Sequence, residues 1–216
     1  MKHFILLACA AIVFTSCSKD RITASGDKIT ETRNPGNFTG VNGSGSSDIH
    51  VSYGSEYKVV LKGSDNLVPR FKTEVMNDIL YLKYEHVNVH RDDIEIFVTL
   101  PLINYVSLSG SGEIDIKGAF PATNSFKANI SGSGEVDVED SFSADEVFVN
   151  ISGSGEADLE KLEAKKADVD ISGSGDAKIK VLDNLKARIS GSGKIYYLGS
   201  PAIDSKISGS GKVIKL

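Results

Sequence analysis

The sequence predicts an all-β protein, a parallel β-helix or β-solenoid with two short strands in each coil of 18–22 residues. Three observations lead to this prediction. The motif Ser-Gly-Ser-Gly occurs six times, apolar residues alternate with polar ones on both sides of each copy, and successive copies are nearly identical. Recurrence at such a period indicates stacked units, each of which buries its apolar face only against its neighbours.

In chain order, the first element is an export signal. Lys2 precedes an apolar run at residues 4–14, which is shorter than the roughly 20 residues that a membrane-spanning helix needs. Thr15 and Ser16 are small residues directly before Cys17, the order found in lipoprotein signal peptides. We therefore predict a signal peptide at residues 1–16, lipidation of Cys17 and a polar linker over 17–28.

Composition restricts the classes of partner. Removal of residues 1–16 takes away Lys2 and no acidic residue, which leaves 23 basic and 29 acidic side chains and a formal charge of −6. This acidic balance argues against nucleic acid as the partner. Cys9 leaves with the signal peptide, so Cys17 has no disulfide partner. The membrane is expected to be contacted through the lipid anchor alone.

Residues 29–105 form a less regular N-terminal β region. Period-two alternation predicts strands at residues 49–51, 57–61, 79–84 and 94–98, with turns at residues 66–69 and 77–78. An Asn-Gly-Ser-Gly at residues 42–45 indicates that this region uses the same turn as the later repeats. Residues 29–216 are expected to form one continuous domain.

Residues 106–216 form the repeat itself. The six motifs begin 22, 21, 20, 18 and 18 residues apart, and apolar alternation in β-branched residues flanks each of them. Glycine permits a positive φ at a sharp corner, so we assign these glycines to structural turns. The turn glycines are Gly43, Gly45, Gly110, Gly112, Gly132, Gly134, Gly153, Gly155, Gly173, Gly175, Gly191, Gly193, Gly209 and Gly211.

Stacked coils should align equivalent residues in columns inside the solenoid. One expected column is Leu108, Ile130, Ile151, Ile171, Ile189 and Ile207. A second is Phe120, Phe142, Leu162 and Leu182. A meander of antiparallel hairpins would also fit the alternation and remains the structural alternative.

The strand pattern continues through residues 212–216. An open solenoid edge exposes unpaired backbone groups, so we expect the N-terminal region or another subunit to cover it. The sequence therefore also allows a homo-oligomer.

Several segments together resemble the putative autotransporter adhesin, head GIN domain family. They are Phe38-x-x-Val41, residues 63–67 (GSDNL), 79–82 (ILYL), 98–101 (VTLP) and 106–112 (VSLSGSG). The resemblance covers about residues 38–216. It implies an exported protein of a Gram-negative bacterium with a β-helical fold, a role in adhesion and no assigned catalytic residues. The start at residues 17–20 (CSKD) resembles lipoproteins of Bacteroides-type bacteria, which implies an outer-membrane lipoprotein, periplasmic or surface-exposed.

The outward positions that follow the turns form acidic columns and are the candidate surface-binding site. They are Glu113, Glu135, Glu156 and Asp176, beside Asp115, Asp137 and Asp158. Stacked carboxylates repel one another, so they stay solvated or recruit a cation. Calcium is a minor alternative, because the calcium-binding nonapeptide repeat has its Asp at the place of Val136. His86 and His90, with Asp92 and Asp93 nearby, form a similarly weak metal pattern.

The leading functional prediction is a cell-envelope lipoprotein that acts as a non-catalytic adhesion or binding module for a host or matrix glycan or protein. We assign no catalytic residue, metal ligand or cofactor, because the acidic residues recur in every coil instead of forming one constellation. The alternatives are a carbohydrate-binding or carbohydrate-active protein that uses the solenoid groove, and a structural envelope protein that self-associates.

Overall fold

The structure is a computed structural model that describes residues 21–85 and 87–216. The predicted signal peptide, Cys17 and His86 lie outside the described residues. Within them the predicted fold class is confirmed: the chain is a β-solenoid of stacked parallel coils. The described part contains no helix that is long and apolar enough to span a membrane.

Nineteen strands and one short 3-10 turn make up the described chain. The strands are β1 (Arg21–Thr23), β2 (Lys28–Arg33), β3 (Gly40–Gly45), β4 (Asp48–Tyr53), β5 (Lys58–Ser64), β6 (Phe71–Met76), β7 (Ile79–Tyr84), β8 (Asn88–His90), β9 (Glu95–Leu100), β10 (Tyr105–Gly110), β11 (Glu113–Lys117), β12 (Thr123–Gly132), β13 (Glu135–Val138), β14 (Phe142–Gly153), β15 (Glu156–Gly173), β16 (Asp176–Gly191), β17 (Lys194–Gly199), β18 (Ala202–Gly209) and β19 (Lys212–Lys215). The 3-10 turn is Val68–Arg70.

The strands form two walls that meet at the turns. The wall before the turns, here called the pre-turn wall, has the order β6-β7-β3-β10-β12-β14-β15-β16-β18. The post-turn wall has the order β2-β5-β9-β4-β11-β13-β15-β16-β17-β19. β15 and β16 each begin in the post-turn wall and end in the pre-turn wall of the next coil. The two short strands predicted there are therefore one continuous strand, because the backbone pairing of β15 with β16 continues through the bend between the walls.

The first glycine of each turn needs its conformational freedom. Gly153, for example, has φ +126°, and a Cβ there would lie 2.3 Å from the carbonyl oxygen of Gly132 in the preceding coil. That oxygen accepts a hydrogen bond from the backbone N–H of Ser154. The corner is therefore closed by a backbone ladder that leaves no space for a side chain.

From Gly134 to Gly211, the second glycine of each turn makes room for a core side chain. A Cβ at Gly193 would lie 2.7 Å from Cγ2 of Ile171, and Gly155 has the same relation to Ile130. The isoleucine before one turn therefore packs against the glycine of the next coil. This explains why the motif is so nearly invariant along the solenoid.

The turn predicted at residues 42–45 is wrong by two residues. Ser44 is paired with Ser109 and Gly45 with Gly110, so the turn is Ser44-Gly45-Ser46-Ser47 and begins two residues later than the motif predicts. Gly43 is instead a strand residue. It pairs with Leu108, and a Cβ on it would contact Ile49.

The column predicted at the turn corner lies in register from Leu108 to Ile207. Its members are buried up to Ile189, whereas Ile207 is 42% exposed because no described strand covers its coil. The second predicted column breaks at its last member: Leu182 is 42% exposed, and Val181 takes the inward place opposite Ala164. The register shifts here because the coil shortens.

The N-terminal β region closes the other end of the stack with antiparallel strands. β2 pairs with β5, β5 with β9, and β6 with β7. Asn77 and Asp78 form the β6–β7 hairpin turn with φ of 51° and 60°, as expected for a tight two-residue turn. The described N-terminal strands thus lie at the end opposite β18, which contradicts the expectation that they cover the last coil.

Candidate functional site

Two surfaces carry the candidate chemistry. The first is the outward side of the post-turn wall, which contains all seven acidic residues predicted from sequence. Glu113, Glu135, Glu156 and Asp176 are in register in one column, and Asp115, Asp137 and Asp158 in the next. Neighbouring members of a column lie about 4.8 Å apart, the spacing of paired strands. We call this surface the acidic face.

Side chains of neighbouring strands contact the carboxylates at the two margins of the acidic face. On one side Nδ1 of His50 lies 2.9 Å from Asp115 and Nε2 lies 3.3 Å from Glu95. On the other side Nζ of Lys178 lies 3.0 Å from Glu156 and 2.8 Å from Asp158. The repeat places Lys178 directly after Asp158 in the same column, whereas it does not reveal His50, which is 65 residues away from Asp115.

At the centre of the acidic face no described side chain forms an ion pair with Glu113, Glu135 or Asp137, although the charge of Lys178 partly offsets the repulsion at Glu135. A side-chain hydrogen bond with Asp115, burial and repulsion from Asp115, Glu135 and Asp48 raise the pKa of Glu113 to about 7. Burial and the neighbouring carboxylates also raise the pKa of Glu135 and of Asp137. Crowding of like charges across adjacent coils is therefore greatest at these three residues.

One group of acidic residues has the spacing of metal ligands. Carboxylate oxygens of Asp115, Asp137 and Glu139 lie within 4.8 Å of one another. However, Asp115 is bonded to His50, and Glu139 is paired with Nζ of Lys117 at 2.8 Å. Since protein groups already engage two of the three carboxylates, we assign no metal to them.

The two aspartates of the predicted histidine–aspartate pattern have other partners. Asp92 accepts a hydrogen bond from the hydroxyl of Tyr84 at 2.7 Å, and Asp93 accepts one from the hydroxyl of Ser64 at 2.6 Å. Both carboxylates therefore tie strands of the N-terminal β region together.

The raised pKa of Glu113 predicts that stability falls as the pH rises. The unfolded pKa is 4.5 and the folded one about 7, so between these values the folded chain binds more protons than the unfolded chain. The free energy of unfolding should therefore decrease across this window. Glu113→Gln, which keeps a hydrogen-bonding amide without the charge, should reduce this slope and raise the melting temperature at pH 8.

Thermal melts from pH 4 to pH 8, followed by circular dichroism, measure this slope. Glu56→Gln, in the exposed connection between β4 and β5, is the matched control and should retain the wild-type slope. An unchanged pH dependence in the Glu113→Gln variant would show that the carboxylate is not under electrostatic stress.

The second surface is a groove of about 570 Å³ on the outward side of the pre-turn wall. Two columns of polar residues from six successive strands line it. One column is Ser107, Asn129, Asn150, Asp170, Arg188 and Lys206, and the other includes Ser131, Ser152, Ser172, Ser190 and Ser208. At strand spacing the groove extends over about 24 Å.

Hydrogen bonds order the side chains along this groove. Nδ2 of Asn150 donates to Oδ1 of Asn129 at 3.0 Å, and Nδ2 of Asn129 donates to the hydroxyl of Tyr105 at 3.3 Å. Arg188 bonds Asp170 through Nε at 2.7 Å and Asp168 through an Nη atom at 2.5 Å. Both carboxylates beside the groove are thus held by one guanidinium, and these bonds raise the pKa of Arg188.

The sequence analysis did not predict which residues line this groove. A signal was present, since the second residue before each Ser-Gly-Ser-Gly motif is always polar. These residues differ in chemistry from coil to coil, whereas the acidic residues after the turns repeat and are easier to recognise.

The comparisons with known proteins agree with this architecture. The family model described as "Putative auto-transporter adhesin, head GIN domain" matches residues 37–201. None of the curated proteins with which the chain was compared matches it.

Solved structures from Bacteroides and Parabacteroides species share the fold. A putative adhesin from Bacteroides fragilis is 21% identical, with a TM-score of 0.71 over 90% of this chain and 100% of that one. A putative adhesin from Parabacteroides merdae is 19% identical, with a TM-score of 0.60 over 91% and 99%. A putative lipid binding protein from Parabacteroides distasonis is 21% identical, with a TM-score of 0.62 over 91% and 100%.

Proposed function

Because the chain belongs to the putative auto-transporter adhesin, head GIN domain family, we propose that it is a non-catalytic adhesion module that binds its partner along the groove of the pre-turn wall. The adhesins among the solved structures that share its fold are consistent with this role. The observation that carries the proposal is the continuous groove across six strands, whose lining combines two columns of polar residues with Ile130, Ile151, Ile171 and Ile189.

The lining of the groove favours an extended, hydroxyl-rich partner such as a glycan chain. Serine hydroxyls and the amides of Asn129 and Asn150 repeat at strand spacing, so each coil offers similar donors and acceptors along the axis. Binding sites of this kind use a few ordered polar groups to fix the orientation of the ligand. The hydrogen-bonded row from Asn150 to Tyr105 is ordered in this way.

The chemistry beside the groove supports binding without turnover. Glycoside hydrolysis uses two carboxylic groups that are free to exchange protons or attack the sugar. Asp168 and Asp170 are instead both held by Arg188. An array of glycans and matrix proteins probed with the full-length protein should give retained binding without released products. Release of products would contradict the non-catalytic role, and binding to no array member would contradict the adhesive one.

The acidic face is the second candidate contact surface. Glu113, Glu135 and Asp137 repel one another, and a partner with lysine or arginine side chains would relieve that repulsion. Such binding would weaken steeply with salt, because exposed charges are screened within about 8 Å at physiological ionic strength. Binding along the groove through its hydroxyls and amides should depend less on salt, because Asp170 and Arg188 in its lining are already paired with each other.

We also place the module at the cell envelope, tethered through lipidated Cys17 after removal of residues 1–16. Acyl chains provide the membrane affinity of such a protein. Cys17→Ala should move the protein from the membrane fraction to the soluble fraction of lysed cells, whereas Ser18→Ala should leave it membrane-bound. Unchanged fractionation of Cys17→Ala would contradict the lipid anchor.

A further inference from the structure

Strand β18 in the last coil has an open edge. It pairs with β16 on one side, and no strand within residues 21–85 and 87–216 lies on its other side. All eight of its residues are exposed. Ile203 and Ile207 are 43% and 42% exposed, although Leu185 and Ile189, their neighbours in β16, are buried.

The sequence of this edge is self-complementary. Residues 203–207 read Ile-Asp-Ser-Lys-Ile, so the apolar residues are symmetric about Ser205 and the two charges are opposite. Ile203 and Ile207 are in register with buried residues and therefore face the interior of the solenoid. Asp204 and Lys206 face outward, and neither forms an ion pair in the described chain.

We propose that β18 pairs with β18 of a second copy, antiparallel and with a twofold axis through Ser205. In this register Ile203 lies opposite the partner subunit's Ile207, and Asp204 lies opposite the partner subunit's Lys206. Both isoleucine pairs then close the exposed end of the core, and both ion pairs lie on the outer surface. Directly opposite pairs of these two kinds stabilise antiparallel strands, and the shared backbone ladder removes the open edge.

The charges exclude the neighbouring registers. A twofold axis through Asp204 would place two aspartates opposite each other, and an axis through Lys206 would do the same with two lysines. A shift by one residue would turn the isoleucines to the outer surface. The edge is therefore built for one isologous pairing mode, the commonest type of interface in symmetric oligomers.

This pairing has a geometric consequence for adhesion. β2 lies at the opposite edge of the sheet from the last coil, so the described N-terminal strands of the two copies are at the two far ends of the dimer. If each copy is tethered at Cys17, which rests on the proposed function, the dimer joins two facing membranes. The self-pairing itself does not depend on the tether or on a ligand in the groove.

Cysteine cross-linking of the full-length protein in detergent tests the register. Cα atoms directly opposite each other lie about 4.5–5.5 Å apart, within disulfide range, so mild oxidation of Ser205→Cys should give a covalent dimer. Asp204→Cys and Lys206→Cys are the matched controls. In each of these variants the two introduced cysteines of the dimer lie diagonally across the strand pair, about 7–8 Å apart, and should not cross-link. The unsubstituted chain controls for Cys9 and Cys17. Absence of the Ser205→Cys dimer, or equal cross-linking of the controls, would overturn the proposal.

A charge swap gives an independent readout on the full-length protein in detergent. Lys206→Asp places like charges opposite each other twice per dimer and should weaken dimerisation about tenfold in sedimentation measurements. The double change Asp204→Lys and Lys206→Asp restores opposite charges and should recover the wild-type dissociation constant. A double variant as weak as the single one would overturn the predicted pairing. Neither the cross-linking nor the sedimentation experiment contains a glycan. A negative result in either would therefore contradict the pairing of β18 and would leave the array test of the proposed function unaffected.

Discussion

Replacement of Gly153 by alanine is expected to destabilise the folded chain by about 3–5 kcal/mol. The new Cβ forces a residue with a side chain into a positive φ, which costs about 1–2 kcal/mol, and it clashes with the backbone of the preceding coil, which costs about 2–3 kcal/mol. The clash cannot be relieved by a side-chain rotation, because the atom 2.3 Å away is the carbonyl oxygen of Gly132. That oxygen also loses its hydrogen bond from Ser154.

Gly45→Ala is the matched control for this variant. Gly45 occupies the same position of the turn with φ +115°, but a Cβ there would meet no atom within 4 Å. It should therefore lose only the backbone part, about 1–2 kcal/mol. Urea unfolding of both variants measures the difference. Equal losses of stability would mean that the corner glycines are required only for their positive φ. They would contradict the close approach of the Gly153 corner to the backbone of the preceding coil.

Ile171→Ala should destabilise the chain by about 2–5 kcal/mol, the range for isoleucine truncated in a packed core. Ile171 is 2% exposed and lies in the middle of the corner column, between Ile151 and Ile189. Its Cγ2 fills the space that a Cβ on Gly193 would occupy. Truncation therefore leaves a cavity at a backbone corner that the ladder holds rigid, and little collapse can relieve it.

Ile207→Ala is the corresponding change in the same column. Since Ile207 is 42% exposed, its truncation removes little buried surface and should cost less than about 1 kcal/mol in the monomer. Urea unfolding at protein concentrations below those that support dimers gives this comparison. A cost for Ile207 as large as that for Ile171 would contradict the position of the last coil at an open edge.

The fold could be predicted from sequence to the extent that the chain repeats itself. Each Ser-Gly-Ser-Gly motif reports the same corner, so six copies define the stack without knowledge of any contact between them. Where the repeat weakens, the prediction fails. The first turn lies at Ser44 instead of Asn42, and Ser47 takes the place of its second glycine, where its hydroxyl donates a hydrogen bond to Asp92. Leu182 lies outside, because a shift in register gives its inward place to Val181.

The candidate sites were predictable only in part. Alternation alone places Glu113, Glu135 and Asp137 on one outward face, since the period of a strand is two residues. The repeat itself places Lys178 beside Asp158, but His50 contacts Asp115 only through the pairing of β4 with β11, which the repeat does not reveal. The groove depends likewise on the alignment of six strands, which no single repeat reveals.

The most direct test of the central claim compares two paired variants of the full-length protein on the glycan and matrix-protein array. Asn129→Ala with Asn150→Ala removes the amide row of the groove, and Glu135→Gln with Asp137→Asn removes two charges from the acidic face. If the groove binds the partner, the first pair should weaken binding by about tenfold or more, because two hydrogen bonds are lost. The second pair should bind as the wild type does. Loss of binding in the second pair with none in the first would contradict the assignment of the groove.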